Sequence, residues 1–182
     1  MTRPILVAYA SRYGSTQEVA ESIASTLRAH MLHADARPAA EVVDLRGYAG
    51  VVLGGGIYMG RWHRDARRFV KRFEDELSAL PVALFALGPV DDEPEHVASA
   101  QKQFRFALGR LPLEPVSAHL FGGAIDPQKL RFPFNRMPAA DVRDWDEVRA
   151  WAGELAVRFE PSGYVCGPTP ETVPSEVSTL TS

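Results

Sequence analysis

Apolar and polar positions follow two alternating periods along this chain. Ile5, Leu6, Val7, Ala8, Tyr9 and Ala10 form a short apolar run, and Val19, Ile23, Leu27 and Met31 then recur at every fourth position. The run predicts a buried strand, and the spacing predicts one buried face of a helix beginning near Ser15. Glu41-Val42-Val43-Asp44-Leu45 reads as a short second strand, and Gly50-Val51-Val52-Leu53-Gly54 as a fully buried third one. Phe69, Val70, Phe73 and Leu77 stripe a helix starting at about His63, and Pro81-Val82-Ala83-Leu84-Phe85-Ala86-Leu87 is a fourth strand. Pro94 suits a first helical position and opens a helix that turns Val97, Phe104 and Leu108 inward. Ser117-Ala118-His119-Leu120-Phe121-Gly122-Gly123 is the fifth strand. Asp144, with Glu147 three residues on, caps a last helix whose buried face carries Val148, Trp151, Leu155 and Phe159.

Five strands alternating with helices imply an α/β fold, a three-layer αβα sandwich around a five-stranded parallel sheet. The doubly wound strand order 2-1-3-4-5 places a ligand at the carboxyl ends of the strands, near the switch between strands one and three. No internal repeat is visible. The periodic pattern fills residues 1–160; from Pro161 onward four prolines sit among Ser, Thr, Gly and Glu without apolar periodicity. Residues 161–182 therefore read as a disordered tail.

Composition narrows the function only by exclusion. The chain has 182 residues, 46% of them hydrophobic, which suits one domain with a full core. A formal charge of −3 gives no bulk attraction to nucleic acid. Cys166 is the single cysteine, so neither an internal disulfide nor a cysteine zinc set forms. No apolar run approaches a bilayer span, and Met1-Thr2-Arg3-Pro4 leads straight into a strand, so a cytoplasmic location is the expectation.

Candidate chemistry begins where the first strand ends. Ser11, Arg12, Tyr13, Gly14, Ser15 and Thr16 link strand to helix, combining hydroxyls, a flexible backbone and unpaired helical amides. Amides and helix dipole together favour an anion, with phosphate the natural guest. A nucleoside triphosphatase loop needs Gly-x-x-x-x-Gly-Lys-Ser/Thr and a dinucleotide fingerprint needs Gly-x-Gly-x-x-Gly; neither pattern is present here. A capping box, Ser15 with Glu18, is the alternative in which nothing binds. The loop resembles the Ser/Thr-x-x-Gly-x-Thr phosphate loop of the flavodoxins, in which hydroxyls and amides hold flavin mononucleotide (FMN) without a cation. That resemblance implies a flavodoxin-like fold over residues 1–160.

Two further loops fit it. Gly54-Gly55-Gly56-Ile57-Tyr58-Met59-Gly60-Arg61-Trp62-His63 follows the third strand, where glycines let backbone approach the isoalloxazine and an aromatic can stack on it; Trp62 and Tyr58 are the stacking candidates. The loop after the fourth strand, with Gly88, Pro89, Val90 and Asp91, should touch the ring's other edge. Electron-carrier flavodoxins usually place a tyrosine there, and no aromatic occurs between Gly88 and Pro94, so one flavin face is expected to be open to substrate.

Gly54-x-x-Ile57-x-x-Gly60-x-Trp62-His63, Phe121-Gly122-Gly123-Ala124 and Asp144-Trp145-Asp146-Glu147-Val148 resemble the menaquinone-dependent protoporphyrinogen oxidases, a similarity running from about Pro4 to Phe159. The resemblance implies an FMN-dependent oxidoreductase taking electrons from a small or planar substrate and passing them to a quinone or a redox protein. By position, Ile57, Gly60 and Trp62 would border the flavin, and His63 would serve proton exchange or substrate contact, or simply start a helix. Two features depart from the family: only residues 126–143 stand where those oxidases have a long insertion, and Tyr58-Met59 replaces an Arg-Tyr pair.

Arg61, Arg64, Arg67, Arg68, Lys71 and Arg72 crowd the start of the helix after this loop, ahead of Glu74, Asp75 and Glu76. Both signs oppose the helix dipole. Arg61, Arg64 and Arg67 are thus candidates for an anion-facing substrate rim, against a plain solvated arginine face. The other functional readings are an electron carrier without its own substrate and a flavin-free protein-binding domain.

Overall fold

The computed structural model describes residues 3–130, 132 and 134–160. Its strands are β1 (Ile5–Ala10), β2 (Ala34–Pro38), β3 (Gly50–Tyr58), β4 (Arg61–Trp62), β5 (Val82–Leu87), β6 (Ser117–Phe121), β7 (Ala124–Ile125) and β8 (Ala140–Asp141). The helices are α1 (Ser15–Ala29), α2 (Arg64–Arg72), α3 (Glu74–Ser78), α4 (Pro94–Leu108) and α5 (Trp145–Phe159). The main sheet runs β2-β1-β3-β5-β6 with every neighbouring pair parallel, and β4 folds back antiparallel on the end of β3. Setting that short hairpin strand aside, this is the expected order 2-1-3-4-5, and the architecture is a flavodoxin-like αβα sandwich.

Side chains alternate across the sheet with the period of two that strands impose. Ile5, Val7, Val52 and Phe85 pack with α1 and α5, while Leu6, Ala8, Val51, Leu53 and Leu84 pack on the opposite side with α2 and α4. Phe85, Phe121 and Trp151 form the aromatic centre of the first layer, with ring centroids 5.5–6.3 Å apart. Gly54 faces Phe85 across the β3–β5 pairing, and a Cβ there would lie 2.0 Å from Phe85 Cζ. The glycine serves core packing as well as the loop beyond it.

The second strand differs from expectation. It lies at Ala34–Pro38, and residues 41–45 run irregularly after a 3-10 turn, Ala39–Glu41, burying Val42 and Leu45 without joining the sheet. Only Ala34 of β2 is buried, and its closing proline is tolerated because β2 is an edge strand. The stripe on α1 ends at Leu27. Met31 adopts φ 64° beyond the helix and is exposed, while Leu32 N–H donates back to Leu27 O at 3.1 Å. The helix expected from His63 breaks at Phe73 into α2 and α3. Arg72 donates to the carbonyls of Val42 and Val43, both at 3.1 Å, so it braces the irregular segment. On α4, Phe104 is buried and Leu108 packs against the core, but Val97 stays at the surface.

Within the described residues no helix is long and apolar enough to cross a membrane. The expected tail, 161–182, lies outside the described residues.

Candidate functional site

Three loops converge at the carboxyl ends of β1, β3 and β5. In the first, Gly14 holds φ 94° and is the N-cap of α1; Ser11 Oγ accepts from Gly14 N at 2.9 Å. The left-handed conformation costs glycine little and carries the chain sharply into the helix. The first bond back along α1 runs from Glu18 N to Gly14 O at 3.1 Å, so the amides of Ser15, Thr16 and Gln17 precede the helical ladder. The alternative, a capping box, does not form, because Ser15 lies inside the first turn and its side chain caps nothing. Thr16 follows it in that turn and is only 4% exposed, the one buried polar residue among the described residues. Arg12 sits over the ring of Tyr13, 5.3 Å from its centroid.

Residues 126–143 bring in charges that sequence order hid. β7 and β8 pair antiparallel, returning the chain to the α1 start. Lys129 Nζ stands 3.7 Å from the position a Cβ on Gly14 would take, paired with Glu18 at 3.6 Å and Asp126 at 3.7 Å. A cation therefore borders the candidate phosphate loop after all. Arg143, with a side chain 7% exposed, donates to both carboxylate oxygens of Asp141 at 2.8 and 2.6 Å, to Glu18 at 2.7 Å and to Ser15 O at 3.4 Å. Its partner carboxylates, Asp141 foremost, raise the guanidinium's pKa, and its hydrogen bond lowers that of Asp141. A cavity of about 360 Å³ opens here, lined by Tyr13, Ser15, Lys129 and Arg143 among others.

The second loop is a hairpin. Met59 (φ 51°) and Gly60 (φ 70°) turn the chain, and Arg61 and Trp62 pair back on Tyr58 and Ile57. Two successive positive φ angles fit a type I′ turn, which matches the twist of the flanking strands. Tyr58 is 56% exposed, and its ring lies over Gly56, where a Cβ would stand 3.0 Å from Tyr58 Cε2. Burial first, then neighbouring Tyr13, raises the Tyr58 pKa, against an opposing effect of Arg12. Tyr13 and Arg12 of the first loop therefore lie within electrostatic reach of the hairpin. Gly56 O accepts from His63 N at 2.8 Å.

Trp62 corrects an expectation. Trp62 is 3% exposed, packed among core residues with Phe104 at a ring-centroid distance of 6.0 Å, because residues at alternate positions of the hairpin turn to opposite faces. It presents no free face for stacking, whereas Tyr58 lies exposed on the hairpin. Likewise a Cβ on Gly55 would meet Trp62 and Ala66 at 3.4 Å, so Gly54 and Gly55 both lie against core side chains. His63 caps α2: its Nδ1 accepts from Asp65 N at 3.3 Å, with the Asp65 carboxylate at 3.8 Å. Arg64 reaches Asp65 at 3.6 Å, and Arg67 Nε donates to Trp62 O at 3.1 Å.

The third loop is laced to the end of β6. Gly88 N donates to Phe121 O and Gly123 N to Pro89 O, both at 2.7 Å. Between this loop, Ile57 and α4 lies a cavity of about 340 Å³ whose wall includes Gly88, Pro89, Val90 and Asp91. His96 also lines it, its Nδ1 2.8 and 3.0 Å from the two Asp91 carboxylate oxygens, and that hydrogen bond raises the imidazole's pKa. Sequence reasoning missed this pair, for which a histidine five residues past an aspartate was the only signal. The absence of an aromatic in the loop was legible, and the loop lines an open cavity instead.

Residues 6–137 match the family model described as Flavodoxin domain, and the chain belongs to that family. The Escherichia coli K12 protein named protoporphyrinogen IX dehydrogenase [quinone] is 29% identical over 170 residues, spanning 83% of this chain and 93% of that one. The flavodoxin of Streptococcus pneumoniae TIGR4 superposes with a TM-score of 0.56 at 17% identity, covering 85% of this chain and 98% of its own. A cysteine-to-alanine mutant of the Pseudomonas aeruginosa flavodoxin gives 0.54 at 18% identity, over 87% and 99%. These two likenesses concern the fold.

Proposed function

We propose that this protein is an FMN-dependent oxidoreductase of the flavodoxin and protoporphyrinogen-oxidase type. It takes electrons from a small or planar substrate and passes them to a quinone or a protein acceptor. One observation carries the reading: the Gly14 turn into a helix N-terminus, with Lys129 beside it, and an open cavity flank a half-exposed tyrosine at the strand ends where doubly wound sheets bind ligands.

The residues present fit the cofactor. Amides of Ser15 and Thr16 lie at a helix N-terminus ahead of the first helical bond, and Lys129 supplies positive charge beside Gly14. Gly56, Ile57, Tyr58, Met59 and Gly60 would border one side of the ring, and Gly88, Pro89, Val90 and Asp91 the other. Bound there, FMN would supply reversible one- and two-electron chemistry. Tyr58 would stack on one face and so position the ring. His63 Nε2 remains free of the cap and is the proposed proton-exchanging atom on the hairpin side. The third loop leaves room for a planar substrate to lie against the ring's other side, the position a carrier flavodoxin closes. This feature, with the E. coli relative named for protoporphyrinogen IX and a quinone, favours an enzyme over a carrier.

Turnover tests that choice. The FMN-loaded protein should oxidise a porphyrinogen or another planar reduced heterocycle with a menaquinone analogue as acceptor. Activity only between a reductase and cytochrome c would assign the carrier role instead.

A further inference from the structure

A separate cavity of about 230 Å³ lies between the β4 hairpin and the end of α4, walled by Gly60, Trp62, Ala107 and Leu111 and ringed by Arg61, Arg67 and Arg110. None of the three arginines meets a carboxylate within 4 Å among the described residues. Asp65, at the start of the same helix as Arg67, is engaged by His63 and Arg64. Arg67 commits its Nε to Trp62 O, and Arg110 lies over Phe106, 4.9 Å from the ring centroid. Three guanidiniums around one small cavity repel one another, and an anion between them relieves that repulsion.

A second observation points the same way. Trp62 Nε1 is buried and is the one buried side-chain nitrogen or oxygen without a partner among the described residues. Native structures rarely leave a buried donor unmatched. Trp62 lines this cavity, so the unpartnered donor belongs to one of its wall residues.

We propose that this cavity binds the carboxylate of an organic anion. Arg67 and Arg110 hold its oxygens by charge-assisted bonds, Arg61 adds positive potential, and Trp62 Nε1–H donates once the anion settles. Ala107 and Leu111 cover the short carbon chain bearing the carboxylate, which a bare inorganic ion does not need. Size limits the guest: a cavity of roughly 150 Å³ accepts benzene, so this one has room for a propionate-like arm but not for a whole four-ring macrocycle. The purpose of the site rests on the flavin reading. Gly60 joins it to the Tyr58 hairpin, so a held arm leaves the rest of its molecule beside the candidate flavin face. The expected arginine rim is thereby sharpened, with Arg110 entering and Arg64, paired with Asp65, leaving it.

The test uses the flavin-free full-length chain, so its outcome is independent of cofactor binding. Indole N–H signals are followed by ¹H–¹⁵N NMR, with Trp62 assigned by the signal lost in Trp62→Phe. Sodium propionate should shift the Trp62 signal saturably and leave Trp145 and Trp151 in place, while sodium chloride at matched ionic strength does not. Arg67→Gln and Arg110→Gln should each raise the half-saturating concentration about tenfold, as loss of a charged hydrogen bond implies. A Trp62 signal indifferent to propionate, or equally responsive in both variants, overturns the site. A response to inorganic phosphate alone overturns the carboxylate assignment. FMN binding, measured separately by flavin absorbance, should be unchanged in both variants, and its failure would bear only on the flavin reading.

Discussion

Replacing Arg143 with Met tests whether the 126–143 excursion secures the start of α1. The guanidinium bonds Asp141 through both its oxygens, Glu18 and Ser15 O, and lies 4.7 Å from the ring centroid of Trp145. Methionine preserves much of the stem's packing while deleting every polar contact. Hydrogen bonds to charged groups contribute about 1.5–3 kcal/mol each when desolvated. Here the partner carboxylates are about half exposed and rehydrate when the arginine is lost, so the set is worth about 1–2 kcal/mol together. The contact with Trp145 adds about 0.5–1 kcal/mol. A total near 2 kcal/mol lowers Tm by about 4–8 °C for a chain of this size. Urea denaturation of the flavin-free protein at neutral pH measures it. The pH dependence has a defined sign. Asp141 has a folded pKa below its ordinary value, so its contribution is complete above about pH 4 and lost as pH falls through the lowered value. The gap between wild type and Arg143→Met should therefore narrow in acid. A loss below about 0.5 kcal/mol, or a gap that widens in acid, would refute this reasoning.

Other outcomes follow from particular contacts. Gly54→Ala drives a Cβ into the Phe85 ring and should cost about 1–3 kcal/mol by chemical denaturation, with Phe85→Leu restoring part of the loss. Tyr58→Ala should weaken FMN by about 0.5–1.5 kcal/mol beyond lost area, measured by flavin fluorescence, while Trp62→Phe mainly lowers Tm. Asp91→Asn should lower the His96 pKa toward its ordinary value, read by NMR titration, because the carboxylate hydrogen bond is the leading cause of its elevation.

What the sequence disclosed and what it hid divide along physical lines. Buried central strands and the capped α5 were legible because apolar period and a capping aspartate are local signals; Asp144 Oδ1 accepts from Asp146 N and Glu147 N at 2.8 and 3.1 Å. The edge strand β2 was not, since it buries almost nothing, while Val42 and Leu45 mimic a strand by burying an irregular segment. Gly14 was correctly singled out as the turn into α1. Its neighbour Lys129 lies far along the chain and arrives only through the β7–β8 pairing, which no local pattern announces. Trp62 was misjudged because an aromatic in a glycine-rich loop reads alike whether it faces ligand or core. Only the hairpin register, with Trp62 opposite Ile57, decides its side.

The central claim is that the loop of Ser11, Gly14, Ser15 and Thr16 holds the phosphate of FMN. The most direct measurement titrates FMN and riboflavin into wild type and the Ser11→Ala/Thr16→Ala double variant, following flavin absorbance and fluorescence. The account predicts that wild type binds FMN well above riboflavin, and that the double variant loses FMN affinity while riboflavin affinity barely changes. Equal losses for both ligands, or no flavin binding by the wild-type protein, would contradict it.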